Sequence, residues 1–253
     1  DTPWHVRSEG IRSLEKGRTF YTSNSGLIEL RQEICKWYQR KYNVLYDYKT
    51  EALLTVGGSE GIDVALRAML DPGDEVIIPE PCYVSYVPCV QLIGAVPVTI
   101  ELKNENQFRL TPEELLAAIT DKTKILILAF PSNPTGAVMT KEDLEPIAKI
   151  CQEKDIYVIS DEIYSELTYG GQKHCSISSL PGMKDRTIVI NGFSKAYAMT
   201  GWRLGYMCAP EEVIKACVRV HQYTITCASS FVQEAAITAL NDCDDDLEEM
   251  RKE

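Results

Sequence analysis

The chain has 253 residues, enough for one large α/β domain or two small ones at roughly 150 residues per domain. Its 45% hydrophobic and 25% charged residues exclude a disordered or collagen-like polymer. Acidic residues number 37 against 26 basic, and the net charge of −11 repels a polyanion, so neither nucleic acid nor an anionic membrane surface is an expected partner. The longest apolar run, Lys124 to Phe130, has the length of a strand and falls far short of the roughly 20 residues of a membrane span. The start, Asp1-Thr2-Pro3-Trp4-His5, has neither the basic region nor the apolar stretch of a signal peptide. Nine cysteines, an odd number, stand singly with no Cys-x-x-Cys pair, and the three histidines are far apart in sequence. These features imply a reducing, cytoplasmic setting, with neither a metal site nor a disulfide framework.

Taken in chain order, strands and helices alternate. Leu27, Leu30, Ile34 and Trp37/Tyr38 recur at helical spacing and predict a helix over 25–41. A short apolar strand over 52–56 runs into Gly57-Gly58-Ser59-Glu60-Gly61, followed by a helix carried by Ile62, Ala65, Leu66 and Met69. Strands are predicted at 75–78 and 96–100, with a helix over 83–93 between them. Thr111-Pro112-Glu113-Glu114 is a capping box with proline at the first helical position, opening a helix to about 119. Residues 125–130 form a continuous apolar run, the pattern of a strand buried on both faces. Thr140 to Asp143 starts another helix through Leu144, Ile147, Ala148 and Cys151. Strands at 156–160, 187–190 and 204–209 and a helix over 211–224 complete the reading. The alternation predicts an α/β fold, a three-layer sandwich with a mostly parallel sheet. Ligands of such sheets sit beyond the carboxyl ends of the strands.

Polar clusters stand at those ends. The Gly57–Gly61 turn is either a plain tight turn or an anion cradle of free amides at a helix N-terminus. It has neither the P-loop ending nor the spacing of a dinucleotide fingerprint. Pro131-Ser132-Asn133-Pro134-Thr135-Gly136 either makes an ordinary Asn-Pro turn or fixes one neutral amide above the sheet. Asp161, closing an apolar strand, is either a cap or salt-bridge partner, or a buried carboxylate awaiting a cation or strong donor. Lys195 in Ser194-Lys195 is either a surface lysine or a partly desolvated Schiff-base nucleophile, with Ser194 and Arg203 nearby to suit a phosphate. One ligand would use all four clusters: a phosphorylated pyridine with a phenolic oxygen, an aldehyde and a basic ring nitrogen.

Pro131 to Gly136, Asp161-Glu162-Ile163-Tyr164, and Ser194-Lys195 followed by Gly201-Trp202-Arg203-Leu204-Gly205 resemble the signature of class I/II aminotransferases. These are fold-type I enzymes of the aspartate aminotransferase superfamily, and the resemblance runs the length of the chain. It implies pyridoxal 5'-phosphate as cofactor, held covalently by Lys195. By the same resemblance Asp161 pairs with the pyridine nitrogen, and Tyr164 and Asn133 donate to the phenolic oxygen. Ser194, Arg203, Ser59 and the amides of Gly58 and Glu60 form the phosphate cup. Tyr83 matches the ring stacked on the pyridine, and Tyr21 the tyrosine that reaches a partner subunit's phosphate, which implies a homodimer with composite sites.

The resemblance further implies that 1–253 is the cofactor-binding large domain, with an opening segment over 1–24 around Tyr21. The small domain of the family is missing from both ends. With it goes the arginine that grips the substrate carboxylate: no arginine after Arg219 has a suitable context, Arg251 standing two residues from the end. The implied reaction is a ping-pong transfer of an amino group between an L-amino acid and a 2-oxo acid, with the fragment alone inactive. Two alternatives share the same residues: a carbon–sulfur β-lyase, and a non-catalytic cofactor-binding regulator domain.

Overall fold

Seven strands in the order β1-β7-β6-β5-β4-β2-β3 form one sheet in the computed structural model, which describes residues 1–252. Glu253, the last residue of the expected large domain, lies outside the described residues. The strands are β1 (Ala52–Thr55), β2 (Glu75–Glu80), β3 (Val96–Glu101), β4 (Thr123–Leu128), β5 (Tyr157–Asp161), β6 (Thr187–Gly192) and β7 (Gly205–Cys208). Strands β3, β2, β4, β5 and β6 run parallel, while β7 is antiparallel to both β6 and β1. The helices are α1 (Trp4–Glu15), α2 (Ile28–Tyr42), α3 (Gly57–Met69), α4 (Tyr86–Leu92), α5 (Pro112–Ala118), α6 (Lys141–Glu153), α7 (Glu211–Thr224), α8 (Ser230–Asp242) and α9 (Asp244–Lys252).

Alternation along the strands sorts side chains into two cores, one on each face. Leu53, Val76, Ile78, Ile188 and Ile190 pack with α3, α4 and α7. On the other face, Leu54 and Val189 meet α2 and α8, and Ile77, Leu126 and Val158 meet α5 and α6. Both faces are therefore covered, which is why residues 125–128 of β4 read as an unbroken apolar run. The expected three-layer α/β sandwich is observed.

Two helix starts follow from their sequences. Thr111 Oγ1 accepts from the Glu114 amide while the Glu114 carboxylate accepts from the Thr111 amide, and Thr140 and Asp143 repeat the arrangement at α6. The α7 bounds match the predicted 211–224, whereas α2 is displaced by one to three residues and α4 begins three residues late. Helices α1, α8 and α9 went unpredicted. The fold also gathers residues that are distant in sequence: His5, Cys243 and Asp246 bring potential ligand atoms within 4.8 Å of one another. There His5 Nδ1 lies 3.7 Å from Asp246 Oδ2, and burial pushes the Cys243 thiol up to about 12. All nine cysteines are free, and no described helix is long and apolar enough to cross a membrane.

Candidate active site

The carboxyl ends of β5 and β6, the start of α3 and the turn before β7 enclose a cleft of about 210 Å³. Nine of the eleven residues singled out in the sequence line it: Gly58, Ser59, Tyr83, Asn133, Asp161, Tyr164, Ser194, Lys195 and Arg203. Their sequence separations are large, so the convergence is a product of the fold.

Asp161 ends β5 buried, with 8% of its surface exposed. Oδ2 accepts from the Tyr86 hydroxyl at 2.7 Å and Oδ1 from the Ile163 amide at 3.1 Å. Burial raises its pKa, and these two donors and the neighbouring Glu162 leave the net direction upward. A buried carboxylate with two neutral donors and no cation is an acceptor that a protonated ring nitrogen would complete.

The anion side of the cleft is built where two backbones touch. A Cβ on Gly205 would sit 2.6 Å from Gly57 C and Gly58 N, so β7 packs directly against the turn that opens α3. Gly57 itself has φ 77°, and a Cβ there would lie 2.6 Å from Arg203 Nη2. The guanidinium thus rests against the start of α3, and Arg203 Nη1 donates to the Thr200 carbonyl at 2.9 Å. Helix geometry leaves the amides of Gly57, Gly58 and Ser59 without intrahelical acceptors. The local field favours anions: the hydroxyls of Ser85 and Ser59 and the Arg203 charge together hold the Tyr83 phenol below its ordinary value.

Lys195 lies in the turn after β6, its Nζ 5.4 Å from the centre of the Tyr164 ring. It is solvent-exposed, so the desolvation expected of it is not supplied by this chain's own atoms. Asn133 and Ser59 are also exposed toward the cleft, and Ser194 is 9% exposed.

Two expected residues lie elsewhere. Tyr21 is 82% exposed and outside the cleft. Glu60 follows the cradle but turns away: its Oε2 accepts from the Val56 amide and its Oε1 lies 2.6 Å from His221 Nδ1. Its backbone amide follows those of Gly57, Gly58 and Ser59 in the first turn of α3. Arg251 pairs with Glu248 at 2.9 Å and donates to the Thr168 carbonyl, away from the cleft.

Sequence reasoning missed Tyr86, which lines the cleft and holds Asp161. Its signal was the three-residue spacing from Tyr83, which sets the two rings edge to face at 5.7 Å. It also missed the buried partners of Glu162 and Glu60, for which no local signal exists.

Residues 1–253 match the family of class I and II aminotransferases. The chain belongs to that family. It is 45% identical to the aromatic-amino-acid aminotransferase 2 of Thermococcus litoralis, all of this chain matching 66% of that protein. It is 42% identical to the aspartate aminotransferase of Bacillus subtilis, matching 64% of it over the whole of this chain. Among solved structures, the aromatic aminotransferase from Pyrococcus horikoshii superposes with a TM-score of 0.98 at 46% identity, over all of this chain and 68% of that one. The chain therefore spans about two thirds of the length of the curated relatives it matches (66% and 64% for these two).

The cofactor of this family is pyridoxal 5'-phosphate, and the cleft fits it on its own geometry. An uncompensated buried carboxylate suits the ring nitrogen, and free amides beside a guanidinium suit the phosphate. A lysine amine suits the aldehyde.

Proposed function

We propose that the chain is the cofactor-binding large domain of an aminotransferase that moves an amino group between an L-amino acid and a 2-oxo acid. The observation that carries the reading is the convergence on one cleft of Asp161, buried without a cation, with Lys195, Asn133, Tyr164 and the Arg203 cradle. Relatives named for aspartate and for aromatic substrates match it comparably, so the side-chain preference of the substrate stays open.

When bound, the cofactor supplies an electron sink for the charge left at a substrate Cα when its proton departs. Asp161 would keep the ring nitrogen protonated, and the Tyr86 and Ile163 donors hold its carboxylate in place for that. Tyr164 and Asn133 would donate to the phenolic oxygen. Ser194, Ser59, Arg203 and the amides of Gly58 and Glu60 would anchor the phosphate, with Tyr83 against the ring. Lys195 would hold the aldehyde carbon until the substrate amine takes its place. The freed amine would then serve as base for the Cα proton and as acid that delivers it to the former aldehyde carbon.

On the same reading, Tyr21, exposed in a single chain, reaches a partner subunit's phosphate in a homodimer, and the small domain with its carboxylate-binding arginine lies outside residues 1–253. Nine free cysteines support a cytoplasmic setting.

The test is the absorption spectrum of the full-length protein with pyridoxal phosphate, before and after single amino acids without an acceptor. The expected result is a Lys195-dependent cofactor band that converts stoichiometrically to the pyridoxamine form. A band that persists while ammonia accumulates makes the protein a β-lyase. A band that forms and never turns over makes it a binding domain, and no band at all removes Lys195 from its role.

A further inference from the structure

Glu60 poses an electrostatic problem for the cradle beside it. A carboxylate at the start of α3 is attracted by the same free amides, and by the same guanidinium, that would hold a phosphate. Arg203 has no carboxylate partner among the described residues, so Glu60 is a ready competitor one residue from the cradle. The observed side chain points the other way, with one oxygen on the Val56 amide and the other 2.6 Å from His221 Nδ1.

His221 is an unusual occupant of its site. It sits on α7 with no exposed surface, in a layer otherwise formed by Val213, Ile214 and Cys217, and its Nε2 has no hydrogen-bond partner. A buried ring nitrogen left unpaired costs stability, so an apolar side chain would serve packing better. What the histidine adds is the Nδ1–H that Glu60 accepts.

We infer that His221 is a positioning residue that holds the Glu60 carboxylate off the anion cradle, keeping the α3 amides and Arg203 free for the cofactor's phosphate. The inference rests on the proposed cofactor site and adds to it a group 161 residues from Glu60 that does not line the cleft.

The test compares pyridoxal phosphate with pyridoxal, which lacks the phosphate, as ligands of the full-length protein, by spectroscopic titration. In His221→Leu the affinity for pyridoxal phosphate is expected to fall about tenfold, a free-energy change of about 1.4 kcal/mol, with pyridoxal unaffected. Adding Glu60→Gln should restore it, because no charge then remains to compete. His221→Asn, which keeps an N–H near the Nδ1 position, should stay close to wild type. Equal losses for both ligands, no loss, or no rescue by Glu60→Gln overturns the inference while leaving the cofactor site intact. A wild-type protein that binds neither ligand covalently overturns the proposed function, and this inference with it. Should His221→Leu fail to fold, nitrogen NMR of the wild-type imidazole decides: Nδ1–H must stay hydrogen-bonded to the Glu60 carboxylate when pyridoxal phosphate binds, and loss of that bond refutes the role.

Discussion

Asp161 and Glu162 are adjacent carboxylates at the end of one strand, and they live in opposite worlds. Asp161 faces the cleft with two neutral donors, and burial drives its pKa up. Glu162 faces the other side, fully buried, where Oε2 accepts from Tyr38 at 3.0 Å and Oε1 from Ser176 at 2.6 Å and Ser160 at 3.1 Å. Burial pushes Glu162 up as well, yet His174 at 3.4 Å and these hydroxyls outweigh it and leave its pKa low. His174 Nε2 lies 3.4 Å from Glu162 Oε2, close to the carboxylate but outside hydrogen-bond geometry. A polar group whose partners are all in the fold is structural, whereas one left short of a partner at a cleft is waiting for a ligand.

Substitutions on the two sides should separate accordingly. Lys195→Ala is expected to reduce turnover by about 10⁴ or more with the melting temperature unchanged; appreciable turnover would remove the lysine from the chemistry. Asp161→Asn should lower turnover by roughly 10²–10³ while leaving the cofactor-free protein as stable as before or slightly more so. Glu162→Gln should do the reverse, costing about 3 kcal/mol in urea unfolding because His174 and the hydroxyls lose the anion they surround. If Asp161→Asn unfolds the protein and Glu162→Gln does not, the contrast is wrong.

Two smaller effects sharpen it. Tyr86→Phe removes one of two donors to Asp161 and should raise that carboxyl further, followed by carbonyl infrared titration. The acid limb of the stability curve should also divide. Glu162, low in the folded state, adds stability above the unfolded carboxylate range that is lost as pH falls through its folded value. Asp161, high in the folded state, holds its proton more tightly than the unfolded chain, so stability declines as pH rises through that window. Asp161→Asn should abolish the decline and Glu162→Gln the acid loss, both measured on cofactor-free protein.

Local sequence patterns carried the elements whose cause is local. The capping boxes at Thr111 and Thr140, the Gly57 turn and the amphipathic α7 are all set by residues within a few positions. Helix α1 escaped because Gly10 interrupts it, a glycine required since a Cβ there would press within 2.9 Å of the Trp202 ring. Helix α8 hides Gln233 in its buried face, where it accepts from the Leu27 amide at 2.7 Å, and α9 is too polar to show a core-facing pattern. The antiparallel course of β7 has no signature in its four residues. In the site, nine residues were legible because their types at strand ends resemble a known family. Tyr86 on Asp161 and His221 on Glu60 were not, since their partners lie 75 and 161 positions away and only the folded chain unites them.

The edge position of β1 has a mechanical consequence. This four-residue strand bonds along one side to β7, and on its outer side the Leu54 amide donates to the Ser25 carbonyl at 3.1 Å. The segment around Tyr21 is therefore pinned to the strand that carries the cradle, and Asn24 clasps the Thr226 carbonyl at 2.9 Å. Amide exchange along this short edge strand is a direct readout of how firmly it is held. On the proposed function, a phosphate held by the amides that follow β1 would fasten that edge from the far end, so filling the cleft would also tighten the chain's opening segment against the sheet.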